Sequence, residues 1–152
     1  MIVYRLARTK FANDLSGEGS RLHGGRWNPV GVPCMYTSVS RALAVLEYTV
    51  NTNIDDIPRS LSMVAVEIPD DDIQIIPVGM LPGNWMAAPA PDETKNFGAD
   101  LLRPPVHLVI QMPSVVIPDE SNYILNPLHP RAREFNIIEI KDFVYDIRIM
   151  ST

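Results

Sequence analysis

Proline interrupts this chain repeatedly between residues 29 and 130 and limits the size of the elements that the chain can form. Fourteen of the 152 residues are proline, nearly twice the usual share of about 5%. Each proline fixes its own φ angle and lacks a backbone N–H, so a long helix or a central strand cannot run through it. The sequence therefore predicts short elements that are joined by stiff loops.

The composition predicts one compact domain over residues 1–152. Hydrophobic residues make up 46% of the chain and charged residues 20%. A chain of this length buries roughly two-thirds of the surface that its unfolded form exposes, so it can hold a core without disulfides. No repeat with a period of about 20 to 50 residues and no low-complexity linker marks an internal boundary.

Charge and cysteine content argue against several classes of protein. The chain has 18 acidic residues against 13 Lys and Arg, a formal net charge of −5, and thus lacks the basic character that direct binding of nucleic acid usually requires. We find no apolar run of signal-peptide length at the N-terminus and no membrane span of about 18 residues. The single cysteine, Cys34, fits a reducing compartment. We therefore expect a cytoplasmic protein that contacts neither a membrane nor nucleic acid.

The pattern of apolar residues and chain breakers predicts an α+β fold with few helices. Residues 2–7 read as an opening strand, residues 11–33 as a long loop rich in glycine and proline, and residues 34–37 as a short strand. We predict a helix over residues 39–50, capped by Ser38 and buried almost all round. A second helix is predicted over residues 92–102, begun by Pro91, ended before Pro104 and weakened by Gly98. Further strands are predicted at residues 62–68, 73–78, 106–112, 114–117, 123–126, 136–141 and 143–149.

Glu47 is the first candidate for chemistry. It lies on the apolar stripe of the first predicted helix, so its carboxylate points toward the interior or toward a cleft. An unpaired buried carboxylate is costly and needs a hydrogen-bonding partner, a cation or a cleft. A structural salt bridge to Arg5, Arg26 or Arg41 is the alternative.

A second candidate is Arg26, in the segment His23-Gly-Gly-Arg-Trp-Asn-Pro-Val-Gly31. The guanidinium group of arginine binds a pair of anionic oxygens, and the preceding glycines allow the backbone to approach a ligand closely. The alternative is that the glycines form a turn and that Trp27 simply packs.

Two more side chains could complete a site. Tyr36 precedes the helix that carries Glu47 and could close the same cleft as a stacking ring, or else belong to the core. Ser114 follows a proline that cannot donate to a β-ladder, and it could present its hydroxyl at the start of a strand or satisfy local backbone.

Common cofactor and metal motifs are missing from the sequence. There is no GxGxxG, GxxxxGK[ST], GxSxG or HExxH motif and no pair of cysteines. The three histidines, His23, His107 and His129, share no ligand spacing. We therefore predict no metal site.

Four segments, taken together and in order, closely resemble the RES-domain family, the toxins of bacterial RES–Xre toxin–antitoxin systems. They are Gly24-Gly-Arg-Trp-Asn-Pro29, residues 36–47 from Tyr36-Thr-Ser to Glu47, Pro113-Ser114, and Asn122-Tyr-Ile-Leu-Asn-Pro-Leu-His-Pro130. Leu81-Pro-Gly-Asn-Trp85 and Thr94-Lys-Asn-Phe-Gly98 also look like the family. The resemblance extends from Tyr4 to about Asp146.

The resemblance implies a fold like that of the ADP-ribosyltransferases and an enzyme that degrades NAD+. Such a toxin cleaves the nicotinamide–ribose bond by hydrolysis or phosphorolysis, arrests growth, and is held inactive by an Xre-type helix-turn-helix antitoxin. By motif, the family's active-site residues correspond to Glu47, Arg26, Tyr36 and Ser114, with the last three contacting NAD+. Two alternatives stay open, a protein mono-ADP-ribosyltransferase toxin and a non-catalytic binding module on the same fold.

Overall fold

Seven strands form one mixed sheet in the computed structural model, which describes residues 1–149. The sheet order is β4-β5-β6-β2-β1-β3-β7, and every neighbouring pair is antiparallel except β4 and β5. The strands are β1 (Ile2–Arg8), β2 (Met35–Ser38), β3 (Leu61–Glu67), β4 (Ile73–Ile75), β5 (Val109–Pro113), β6 (Ser121–Leu125) and β7 (Asn136–Phe143).

Three α-helices accompany the sheet in the described part of the chain, which confirms the predicted α+β class. They are α1 (Glu18–His23), α2 (Arg41–Val50) and α3 (Asp92–Leu102). Single 3₁₀ turns lie at Thr9–Phe11, Ile54–Asp56, Val78–Met80, Ala132–Glu134 and Ile147–Ile149. Within residues 1–149, none of the helices has the length and apolar character needed to cross a membrane.

The start of α2 differs from the prediction. Ser40, and not Ser38, caps the helix, because the Ser40 side chain accepts a hydrogen bond from the Leu43 backbone N–H at 3.1 Å. Ser38 is the last residue of β2. The helix is also only half buried: its buried residues are the three that begin at Leu43, whereas Arg41 and Val50 are exposed. The prediction of a helix buried almost all round was wrong.

Several predicted strands also end early or are absent. The segment 114–117 is not a strand, because the Ser114 hydroxyl accepts hydrogen bonds from the Val116 and Ile117 amides and turns the backbone toward β6. The strand predicted at 73–78 ends at Ile75. The strand predicted at 136–141 continues to Phe143 as β7, and no separate strand follows it over the predicted range 143–149, where Ile147–Ile149 forms a 3₁₀ turn. The predicted loop 11–33 contains α1.

The sheet is nearly divided between β1 and β2. These strands share a single register pair, Tyr4 with Ser38, whereas β1 pairs with β3 from Ile2 to Arg8 and β2 pairs with β6 along its whole length. We call this weakly paired boundary the seam. It separates a half made of β4, β5, β6 and β2 from a half made of β1, β3 and β7.

Two apolar clusters cover one face of the sheet, one on each side of the seam. Ala44 and Val45 of α2 pack with Leu6, Leu61 and Met63 of β1 and β3. On the other side, a cluster that includes Trp27 and residues of α3, β5 and β6 covers the second half; it contains Leu102, Ile110, Met112 and Ile124. The boundary between the two clusters is the place where polar side chains meet.

Candidate active site

Glu47 of α2 lies at this boundary and is held by two neutral donors. Its Oε1 atom accepts a hydrogen bond from the Ser114 hydroxyl at 2.7 Å and another from the Asn122 side-chain amide at 2.5 Å. In the part of the chain that the structure describes, no hydrogen bond or ion pair reaches its second oxygen, Oε2. The carboxylate is half buried, with one oxygen fixed and the other available to a ligand.

None of the three arginines considered as partners bonds to Glu47. Arg41 instead forms an ion pair with Glu139 at 3.0 Å, and Arg5 donates to the backbone carbonyls of residues 11, 12 and 14. Arg26 also donates to backbone carbonyls. The negative charge of Glu47 is therefore not neutralised by any of these three arginines.

Ser114 joins Glu47 to the turn that follows β5. Its side chain is fully buried. The hydroxyl donates a hydrogen bond to Glu47 and accepts hydrogen bonds from the backbone N–H groups of Val116 and Ile117, both at 3.0 Å. Of the two sequence-based interpretations of this serine, the structure shows that it satisfies local backbone, whereas the strand that it was expected to begin is absent. It also contacts the carboxylate of Glu47.

The structure adds two polar residues that the sequence analysis did not include in the site. Asn122 on β6 and Ser38 on β2 are a register pair, and the Ser38 hydroxyl donates to the Asn122 side-chain oxygen at 2.7 Å. Asn122 belongs to a segment that resembles the RES-domain family. Its contact with Glu47, however, depends on how β2, β6 and α2 come together, which local sequence does not reveal.

Arg26 is anchored by the segment that precedes α3. One of its terminal nitrogens, Nη1, donates to the carbonyls of Trp85 and Ala87, both at 2.8 Å. Its Nε and Nη2 atoms make no hydrogen bond within residues 1–149. The guanidinium group is thus fixed in place and still has donors for an anion.

Tyr36 holds the loop that carries Arg26. Its hydroxyl accepts the Trp27 backbone N–H at 2.9 Å and donates to the Asn28 side-chain oxygen at 2.6 Å. Burial raises the pKa of Tyr36 well above its usual value, so the hydroxyl stays a donor. A Cβ atom at Gly25 would lie 2.8 Å from this hydroxyl, which explains the glycine.

Trp27 also contacts α3, and this contact explains a glycine inside that helix. A Cβ atom at Gly98 would lie 1.9 Å from the Trp27 carbonyl oxygen. The Trp27 ring is 6.2 Å from the Phe97 ring and 6.3 Å from the Trp85 ring, centroid to centroid. Gly98 therefore permits the close packing of α3 on the loop, at the expense of helix propensity.

The four predicted site residues fall into two pairs. Glu47 and Ser114 are in direct contact, whereas Arg26 connects to Tyr36 through its neighbour Trp27. β2 links the pairs, because Tyr36 and Ser38 lie on the same face of this strand, two residues apart. No hydrogen bond joins Arg26 to Glu47 within residues 1–149.

A cavity of about 370 Å³ lies beside the seam, lined among others by Arg5, Leu6, Cys34 and Tyr36. Burial lowers the pKa of Arg5 and raises the pKa of the Cys34 thiol to about 12. Among residues 1–149, we find no group of three or more His, Cys, Asp or Glu side chains that could hold a metal ion.

Comparison with known proteins assigns the family. The family profile described as RES domain matches residues 2–146. The Prs ADP-ribosylating toxin of Sphingobium sp. (strain YBL2) is 37% identical over 147 residues, which cover 95% of this chain and 91% of that protein. A protein named Toxin Res from Photorhabdus laumondii subsp. laumondii is 33% identical over 152 residues, covering 99% of this chain and 97% of that protein.

A solved structure shares the fold. It is the crystal structure of the M. tuberculosis MbcT–MbcA toxin–antitoxin complex, with a TM-score of 0.74, 16% identity, and coverage of 93% of this chain and 83% of that one. Because the family profile spans nearly all of the described residues and the sequence relatives match over almost their full length, this chain belongs to the RES domain family.

Proposed function

We propose that this protein is the toxin of a bacterial toxin–antitoxin pair and that it cleaves the nicotinamide–ribose bond of NAD+. Membership of the RES domain family and the toxin names of its relatives support the first part. The state of Glu47 is the observation that carries the second part. Its carboxylate is held through one oxygen by neutral donors, and its charge is not neutralised by Arg5, Arg26 or Arg41.

The chemistry of the bond explains why such a carboxylate is useful. Cleavage of a bond at the anomeric carbon passes through an oxocarbenium-like state in which positive charge develops on the ribose. A fixed negative charge near that ribose stabilises this state more than the ground state. Nicotinamide leaves as a neutral molecule, so the site needs no strong general acid. Attack by water then gives ADP-ribose, nicotinamide and one proton.

Two of the other three residues would contact NAD+, and the third would orient Glu47. Arg26 has two nitrogens available for the pyrophosphate. The hydroxyl of Tyr36 is committed to the loop, so we assign its ring to contact with nicotinamide and its hydroxyl to holding Arg26 in place. The Ser114 hydroxyl donates a hydrogen bond to Glu47, and we assign Ser114 to orienting the carboxylate.

Transfer of ADP-ribose to a protein is a second candidate function, and one observation favours it. The relative from Sphingobium is named an ADP-ribosylating toxin and is 37% identical to this chain. The same four residues would break the same bond, and only the acceptor would change from water or phosphate to a protein side chain.

An antitoxin of the Xre type, with a helix-turn-helix domain, is the partner that we propose. The solved structure with the same fold comes from a toxin–antitoxin complex. A substrate as central as NAD+ also places the proposed action in the cytoplasm. The partner would keep the enzyme from consuming this substrate in growing cells.

The test is consumption of NAD+ by the purified protein, with the products separated by chromatography, with and without phosphate. Glu47→Gln keeps the shape of the side chain and removes its charge, so we expect turnover to fall at least about 100-fold. Glu67→Gln, at an exposed position at the end of β3, is the matched control and is expected to turn over normally.

The products identify the acceptor. ADP-ribose indicates water and ADP-ribose-1″-phosphate indicates phosphate, whereas loss of NAD+ that requires added cell lysate indicates a protein. Full turnover by Glu47→Gln would refute the catalytic assignment of Glu47. No loss of NAD+ under any of these conditions would refute the enzymatic proposal in favour of a binding module.

A further inference from the structure

Asn122 is the second donor to Glu47, and the sheet holds it rigidly. It lies on β6 between β5 and β2, paired with Met112 on one side and Ser38 on the other. Strands constrain a side chain more tightly than loops do. Asn122 donates to Glu47 at 2.5 Å, and the strands on both sides of β6 hold the backbone of this donor in place.

Ser38 and Glu47 hold the two ends of the Asn122 amide, Ser38 the oxygen and Glu47 the NH₂ group. The Ser38 hydroxyl donates to the Asn122 side-chain oxygen at 2.7 Å, so the NH₂ group of the amide faces Glu47. A carboxylate can only accept a hydrogen bond, so this orientation suits both contacts of the amide. Ser38 is buried, with only 3% of the residue exposed.

We propose that Asn122, oriented by Ser38, is a positioning residue that sets the rotation of the Glu47 carboxylate and directs Oε2 toward the ribose of the substrate. This inference rests on the proposed cleavage of NAD+ and assigns to that site two residues beyond the four described above. Ser114 alone would hold Oε1 by one bond, about which the carboxylate can still turn. The second donor, on a different strand, removes that freedom.

The neutrality of Asn122 is part of its role. A lysine or arginine at this position would fix the carboxylate equally well but would cancel the charge that stabilises an oxocarbenium-like state. Glu47 is the only charged side chain hydrogen-bonded to Asn122 within the described residues. The amide thus orients the carboxylate and leaves its charge intact.

The first test compares the kinetics of NAD+ cleavage in the wild type and in Asn122→Ala. Loss of a hydrogen bond to a charged group predicts a fall in kcat of about 10- to 100-fold. Because Asn122 is assigned to orientation and not to binding, KM should stay within about threefold of the wild-type value. Ser38→Ala, which frees the amide to turn, should lower kcat by a smaller factor.

Asn122→Asp gives a readout that a purely structural role would not produce. At neutral pH its new carboxylate faces Glu47 and repels it, whereas at lower pH a proton shared between the two groups restores a donor. Activity relative to the wild type should therefore rise as the pH falls from 8 to 5.

Gln111 provides matched controls, because it precedes Met112, the register partner of Asn122, and lies on the opposite face of β5, where its side-chain amide donates to the Ser121 hydroxyl at 2.9 Å. Gln111→Ala and Gln111→Glu should leave kcat and its pH dependence unchanged. Urea unfolding of each variant separates loss of activity from loss of fold.

Each outcome has a distinct meaning. If the wild type cleaves NAD+ but Asn122→Ala keeps its kcat, or if Asn122→Asp gains nothing from acid, the positioning role is refuted and the proposed function stands. If the folded wild type does not cleave NAD+, both fall together.

Discussion

Replacing Gly98 by alanine is expected to destabilise the protein, even though alanine is the better helix former. A Cβ atom there would lie 1.9 Å from the Trp27 carbonyl oxygen and 2.6 Å from the carbonyl carbon. Ordinary contacts between heavy atoms need about 3.5 Å, so α3 and the Trp27 backbone must separate by more than about 1 Å. The obstacle is backbone, and the Trp27 amide is itself held by Tyr36.

The expected size of the effect follows from two opposing terms. Alanine gains about 1 kcal/mol over glycine inside a helix. Overpacking against an immobile neighbour costs about 3 kcal/mol, the upper end of the usual range, because neither backbone can move aside by a simple rotamer change. The free energy of unfolding should therefore fall by about 2 kcal/mol.

Gly19→Ala is the matched control for this substitution. Gly19 also lies in a helix, α1, but nothing is within 4 Å of the position where its Cβ would stand. This variant should be stabilised by about 0.5 to 1 kcal/mol. Urea unfolding at 25 °C, followed by the fluorescence of the two tryptophans, measures both variants. A Gly98→Ala protein that is as stable as the wild type would refute the packing argument.

Two further predictions concern the Tyr36 hydroxyl and the Cys34 thiol, two buried groups near the loop that carries Arg26. Tyr36→Phe leaves the Trp27 N–H and the Asn28 oxygen without their partner, so the free energy of unfolding should drop by about 1 to 3 kcal/mol in urea unfolding; an unchanged midpoint would contradict this. Burial raises the pKa of Cys34 to about 12. Between about pH 9 and 12 the unfolded chain therefore releases the thiol proton while the folded chain keeps it, and stability falls as pH rises. Cys34→Ala lacks this pH-dependent contribution. The difference in the free energy of unfolding between the wild type and Cys34→Ala should therefore become smaller between pH 8 and pH 11 in urea unfolding. A difference that stays constant would contradict the raised pKa of the thiol.

The elements that local sequence defines well are those bounded by prolines or by clear strand patterns. Pro91 and Pro104 bracket α3, and its predicted range, 92–102, is the observed one. The first strand was likewise predicted to within one residue. Chain breakers fix such boundaries because their effect on the backbone does not depend on distant contacts.

Features that depend on distant contacts were the ones that sequence could not supply. Ser38 and Ser40 are equally good caps by composition, but the pairing of β2 with β6 places Ser38 in a strand, bonded to Asn122. For the same reason, the sequence predicted that the Glu47 carboxylate points toward the interior or a cleft and offered Ser114 as a site residue, but it did not predict the hydrogen bonds from Ser114 and Asn122 to Glu47. Ser114 and Asn122 are 67 and 75 residues away along the chain.

The position of β6 in the sheet has a consequence for the order in which the chain can fold during synthesis. β6 is the sixth strand to be made, yet it lies between β5 and β2. Until residues 121–125 leave the ribosome, the only strand pairing described for β2 is its one pair with β1, Tyr4 with Ser38. Contacts that span so much chain form late. The strand that joins β5 to β2 also brings Asn122 to Glu47, so a nascent chain that stops before residue 121 carries the carboxylate without its complete support.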